Sequence, residues 1–264
     1  MRPVQHILVP VDFSECSIHA WESAKILARQ YEASIHLYHH LPIGVQPVVL
    51  EEVKRQLQHL AAGAGELQVQ TVCEEGALYQ TLQQYVHKHG IDLVVMGSHG
   101  ASGKNEFFIG SNTQKVVRTL HRPVLIVKDK PLSTGLNKVV FASGFNTHDR
   151  PAFLQFKALV LPWLPEIHLV AIMTSSLFDA PYVVTKEAMK QFQKLASPLA
   201  SHLHVYRDFS VEQGIRNLSE ELDADLVCIS NHFRHPVKRT LVGSNVEALV
   251  NHAGMPVLTI DYEE

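Results

Sequence analysis

The chain has 264 residues, 46% of them hydrophobic and 19% charged, enough for one large domain or two ordinary ones with sizeable cores. A net charge of −3 and an isoelectric point near 6.6 exclude the broad basic surface that nonspecific nucleic-acid binding needs. No run reaches membrane-spanning length, and three cysteines, an odd number placed far apart, read as buried thiols in a reducing compartment and not as a disulfide framework.

In chain order, the amino-terminal apolar run is broken by Pro10 and Asp12 and lacks the hydrophobic stretch and cleavage site of a signal peptide, so a cytoplasmic protein is expected. His6–Val9 reads as a first buried strand, continuous and β-branched. Helical periodicity follows over Ser14–Tyr31, a strand near Ser34–His39, a helix over Leu50–Ala62 and a strand near Leu67–Cys73. Next come a helix over Leu78–His89, a strand at Asp92–Met96, a helix over Ser111–Leu120 and a strand at Pro123–Val127. Strands that alternate with helices in this way specify an α/β fold with a parallel sheet and helices on both faces.

The second half repeats the first. Ile91–Met96 aligns with Ala224–Ile229, Gly110–Asn112 with Gly243–Asn245 and Arg122–Val127 with Met255–Ile260, at a constant offset of 133 residues. Two tandem domains are therefore expected, 1–130 and 136–264, joined by the polar, turn-rich stretch around 128–137.

The segment Val94–Asn112 joins a strand to a helix through a glycine loop. Gly97 and Gly100 follow directly on the strand end marked by Met96, at the carboxyl edge where open α/β sheets bind ligands. Gly110 and Ser111 then open a helix, followed by Asn112. Residues without a Cβ let backbone N–H groups approach an anion, and a helix N-terminus adds the positive end of its dipole. Lys104 is a cation inside the loop, with Glu106 beside it, and the His99 side chain points either to a ligand or to solvent. Two glycines near a strand end also serve as a plain turn. The spacing matches neither the P-loop, which ends in Gly-Lys-Ser/Thr, nor the Rossmann fingerprint of the first βα turn.

The full pattern, Gly97-x-x-Gly100, nine residues, then Gly110-Ser111, resembles that of the universal stress proteins, whose ATP-binding members also carry an acidic residue just after the first strand, here Asp12. The resemblance spans the chain as two copies. It implies two tandem doubly wound five-stranded parallel-sheet domains of order 3-2-1-4-5, paired as an intramolecular pseudo-dimer through the apolar edge strands Val124–Val127 and Val257–Ile260. It also implies ATP or another adenine nucleotide in the first repeat. The edge Pro10, Val11 and Asp12 would then lie against base and ribose, the glycine loop would take the phosphates, and Asp12 would help to hold Mg2+. Asp12 has a structural reading as well, as N-cap or capping-box partner of the first helix. His39-His40 stands where ATP-binding members often place an apolar residue near the base, and His40 joins the candidate site on that ground.

The second copy departs from the pattern. Ser230 replaces Gly97, Phe233 replaces Gly100, and the Asp12 position falls in Ala142–Phe145, which has no carboxylate. Phe233 should block phosphate sterically, so a scaffolding role is expected for this repeat. Its loop 231–239 is basic and reads as solvated or as meeting another anion. The 17 histidines include His39-His40 and His202-x-His204, which can be drawn as metal ligands, yet no motif closes a site. Neither an acid/base pair nor a nucleophile arrangement stands out. The leading expectation is a nucleotide-binding protein of stress response or signalling, with slow Mg-dependent ATP hydrolysis or a nucleotide-free interaction protein as rivals. Protein partners are unspecified, and a homodimer of the tandem unit stays open.

Overall fold

The computed structural model describes residues 4–98, 110–174, 180–230 and 245–260. The chain divides into two compact units, 2–132 and 133–264. The first unit contains β1 (His6–Pro10), α1 (Glu15–Tyr31), β2 (Ser34–Leu41), α2 (Pro47–Ala62), β3 (Val69–Glu75), α3 (Leu78–Lys88), β4 (Leu93–Gly97), α4 (Ser111–Thr119) and β5 (Val124–Val127). Its strands are parallel, in the order β3-β2-β1-β4-β5. The second unit contains β6 (Lys138–Ala142), α5 (Arg150–Val160), β7 (Glu166–Met173), α6 (Tyr182–Ala196), β8 (Ser201–Arg207), α7 (Val211–Glu221), β9 (Leu226–Ser230) and β10 (Val257–Ile260), with a helical segment over 245–252. The order β8-β7-β6-β9-β10 repeats that of the first unit.

The strands read from the sequence are all present, with shifted bounds. α2 begins at Pro47, three residues before the expected Leu50, because proline suits the first helical position, whose N–H has no intrahelical partner in any case. β2 and β3 run two residues further than expected because they pair in register as far as Leu41 and Glu75. Only Cys228 is buried, whereas Cys16 and Cys73 are partly exposed, which corrects the reading of three buried thiols.

Ile7, Leu8 and Val9 of β1 and Val94 and Val95 of β4 have no accessible surface, as strands covered on both faces require. α1 buries Ala20, Trp21, Ala24, Leu27 and Ala28 along one helical stripe. In the second unit, Phe141, Phe153, Phe156 and Phe192 form an aromatic core with ring centroids 5.1–5.4 Å apart for the 141–153, 141–156 and 153–192 pairs.

One carboxylate fastens the same joint in each unit. Asp92 Oδ2 accepts from the backbone N–H groups of Gln5 (2.8 Å) and His6 (3.0 Å), and Asp225 Oδ2 accepts from those of Asn137 (2.6 Å) and Lys138 (3.0 Å). The central strand is thereby tied at its start to the strand that follows α3 or α7.

A second duplicated feature is a buried imidazole. His36 of β2 and His168 of β7 are 5% and 6% exposed. Burial, reinforced by His6 and His89, lowers the pKa of His36 to about 4. Burial with His204 and His202 lowers that of His168 to about 4, with Glu166 opposing the shift and Lys138 adding to it. An unfolded histidine titrates near 6.5. The denatured chain therefore binds more protons than the native one across the interval between, so the stability from these neutral rings is complete above about pH 6.5 and is lost as the pH falls toward about 4. We expect the melting temperature to fall between pH 7 and pH 4.5, and to fall less steeply in the His36→Gln, His168→Gln double variant. Parallel melting curves for the two proteins would refute this assignment.

Candidate functional site

The chain leaves β1 at Pro10 and reaches α1 through Val11–Ser14. Ser14 is the N-cap: its Oγ accepts from Ser17 N (3.3 Å) while donating to Asp12 Oδ1 (2.5 Å), which also accepts from Ser14 N (3.1 Å). The cap is thus Ser14 and not Asp12, and Asp12 acts on the cap by orienting its hydroxyl. Phe13 holds a positive φ of 63° and stacks on His39 with centroids 5.1 Å apart. Phe145 has the equivalent place and conformation in the second unit, φ 56°.

Gly97, the last residue of β4, lies under the first turn of α1. A Cβ there would come within 2.8 Å of the Cys16 carbonyl carbon and 2.9 Å of Ser17 N. Glycine is required by this backbone crossing, whatever binds above it. Beyond β4, Ser98 N donates to Val127 O (2.9 Å), Gly110 N donates to Ser98 O (2.8 Å), and Thr113 Oγ1 donates to Gly97 O (3.0 Å). Gly110 is therefore held beside the strand end and is the N-cap of α4, where it supplies no side-chain cap. The first amides of that helix present the positive end of its dipole to the crevice.

Pro10, Val11, Asp12, His40, Met96, Gly97, Gly110 and Asn112 line one cavity of about 210 Å3. Ser111 opens α4, while His99, Gly100 and Lys104 lie outside the described residues. The cavity also takes in Ser17, Tyr38, His39, Leu78, Leu82, Thr113 and Val116, most of which the motif did not point to. Leu78 and Leu82 are one helical turn apart on α3, and that spacing marks an inward face without saying what it faces. Tyr79, at the same helix start, donates to Asn112 Oδ1 (2.7 Å) and receives the Lys115 ammonium 4.5 Å from its ring centre.

The paired histidines each spend one ring nitrogen on a backbone carbonyl. His39 Nδ1 lies 2.7 Å from Val11 O, and His40 Nε2 lies 2.8 Å from Gly76 O. A carbonyl only accepts, so each of these nitrogens carries its hydrogen. Burial lowers the His39 pKa, opposed by the Val11 bond and Asp12 and assisted by His40. The ring is neutral at pH 7, and its Nε2 is an acceptor. Among the described residues, no group of three or more His, Cys, Asp or Glu is arranged to hold a metal ion.

The universal stress protein family profile matches residues 3–128 and 173–261. The chain belongs to the universal stress protein family. It is 31% identical over 139 residues to universal stress protein A of Salmonella typhimurium, covering 47% of this chain and 93% of that protein. It is 25% identical over 137 residues to a universal stress protein of Methanocaldococcus jannaschii, covering 46% of this chain and 81% of that one. In three dimensions, a universal stress protein from Archaeoglobus fulgidus matches 99% of this chain and 100% of its own, with a TM-score of 0.80 and 18% identity, which shows the fold. The two repeats of this chain are thus tandem universal-stress domains. No helix among the described residues is long and apolar enough to cross a membrane.

In the second repeat the stretch Ala142–Phe145 carries no carboxylate, as its sequence reads, but one reaches the edge of the crevice from further along the chain. It comes from Asp149, five residues beyond the Gly144 position equivalent to Asp12. Ser230, in place of Gly97, adds a side chain at the strand end, and the chain makes a 310 turn over Thr147–Asp149 before α5 begins. Phe233 lies outside the described residues.

The crossing at Gly97 yields a direct expectation. Gly97→Ala should lower stability by about 1–3 kcal/mol, because the obstacle is helix backbone and cannot rotate away. A urea midpoint unchanged from the native protein would show that the start of α1 yields freely.

Proposed function

We propose that the first repeat binds ATP and that the protein acts by nucleotide-dependent contacts in a cytosolic stress or signalling response. The observation that supports this reading most is the convergence, on one cavity at the carboxyl edge of the sheet, of an uncapped helix N-terminus behind Gly110 and a carboxylate from the β1 edge. The helix end suits phosphate. Asp12 suits the ribose hydroxyls, since an ionised carboxylate only accepts and a diol donates.

Pro10, Val11, His39 and His40 form the base end. His39 commits Nδ1 to the Val11 carbonyl, which leaves its Nε2 as an acceptor, complementary to an exocyclic amino group. Adenine offers such a group at position 6, whereas hypoxanthine offers a carbonyl oxygen. In this reading Asp12 is the protein ligand of Mg2+, and no second carboxylate stands in the described lining. A cation held mostly by phosphate oxygens and water fits that donor set. The second repeat, with Ser230 for Gly97, takes no ATP in the same pose.

The purified protein should bind one ATP per chain by equilibrium dialysis and should melt at a higher temperature in its presence. Gly100→Phe, which copies the second repeat, should abolish the shift, and Asp12→Ala should weaken binding by about tenfold. ITP should bind about tenfold more weakly than ATP. Two ATP per chain would sink the asymmetric assignment, and equal affinity for ITP would remove His39 from base selection.

A further inference from the structure

We infer that the second repeat is a ligand site in its own right, for a small neutral or cationic molecule with an apolar body and a hydroxyl or amino head. The inference is independent of nucleotide binding in the first repeat. It starts from a cavity of about 590 Å3, against about 210 Å3 in the first repeat. The two are lined by equivalent positions. Val170 stands where Tyr38 does, Ile172 where His40 does, Val211 and Ile215 where Leu78 and Leu82 do, and Ile229 where Met96 does.

The crevice opens at the carboxyl edge of the sheet, where open α/β folds bind ligands. An aromatic and an imidazole of the first repeat have become aliphatic here, the cavity is larger, and one side of its wall is branched aliphatic. The ring nitrogen that would read a base is gone with His39, and the places of His39 and His40 are taken by Ala171 and Ile172. The body of the ligand is therefore selected by shape and apolarity.

Its head is selected by Asp149, which is 7% exposed. Oδ2 is filled, accepting from Ser143 Oγ (2.7 Å) and Asn146 N (3.0 Å). Oδ1 has only the distant Ser230 Oγ, at 3.5 Å, so it retains capacity to accept from a ligand. No lysine or arginine stands in the described lining, and His148 is its other titratable side chain. A hydroxyl or ammonium head would complete the hydrogen bonding of Oδ1, whereas an anionic head would set a second negative charge beside it.

The test uses three probes with one body and different heads: phenethylamine, 2-phenylethanol and 3-phenylpropionate, titrated against the full-length protein by saturation-transfer NMR. The amine and the alcohol should bind, and the carboxylate about tenfold more weakly than the amine. Val211→Trp, at the partly exposed first turn of α7, should fill the cavity and abolish the signal. Asp149→Asn should weaken the amine more than the alcohol. Asp149 also closes a capping box, so if its variant melts early, Val211→Trp with an unchanged melting temperature decides the matter. Absence of binding by all three probes, a carboxylate that binds as well as the amine, or binding indifferent to Val211→Trp would each overturn the inference.

Discussion

The crossing of the first turn of α1 over Gly97 is the contact on which the first crevice depends. β1 and β4 are neighbours in the sheet though far apart in sequence, and the chain leaves them toward different helices. Ligands in open α/β sheets bind where the strand order reverses in this way. Because Gly97 has no side chain, the helix start can settle directly on the end of β4. Ser14, Ser17 and Asp12 are then carried to the same edge as Gly110 and the opening of α4. A motif glycine usually explained by its ligand thus has a prior duty to the fold. The two roles reinforce each other, since the crossing that excludes a Cβ also builds the cavity wall.

Duplication supplies an internal control. The carboxylates of Asp92 and Asp225 tie the same strand starts, and Phe13 and Phe145 take the same unusual backbone conformation. These are features of the scaffold, retained in both repeats whatever each binds. The crevices have diverged. Where Ser230 stands for Gly97, the carboxylate arrives from Asp149 through a 310 turn. Where Tyr38 and His40 stand in the first repeat, Val170 and Ile172 leave an aliphatic wall. One framework thus presents two different chemistries, as expected when function resides in side chains grafted on a common fold.

The histidines divide by environment and not by motif. His36 and His168 sit deep between strands, where burial and neighbouring rings keep them neutral. His39 and His40 lie at the crevice, each with one nitrogen committed to a carbonyl. His202 and His204 gather on His168, with His204 Nε2 at 3.0 Å from its Nδ1. Spacing along a strand suggested that the last pair could ligate a metal, but on a sheet the nearest partner of a side chain belongs to the adjacent strand.

The sequence by itself determined the fold class, the order of elements, the duplication and the glycine spacing that marks the family. Each is written in local periodicity or in direct comparison of one half with the other. It also placed Met96–Gly97 and Gly110–Asn112 as candidates, because they flank strand and helix ends, and Pro10–Asp12 through the resemblance to the family. Only the tertiary structure decided that Ser14 is the cap, that Tyr38, Leu78, Leu82 and Val116 complete the first cavity, and that Asp149 supplies a carboxylate to the second. Those assignments depend on distances between strands and helices tens of residues apart, which packing sets and no local pattern records.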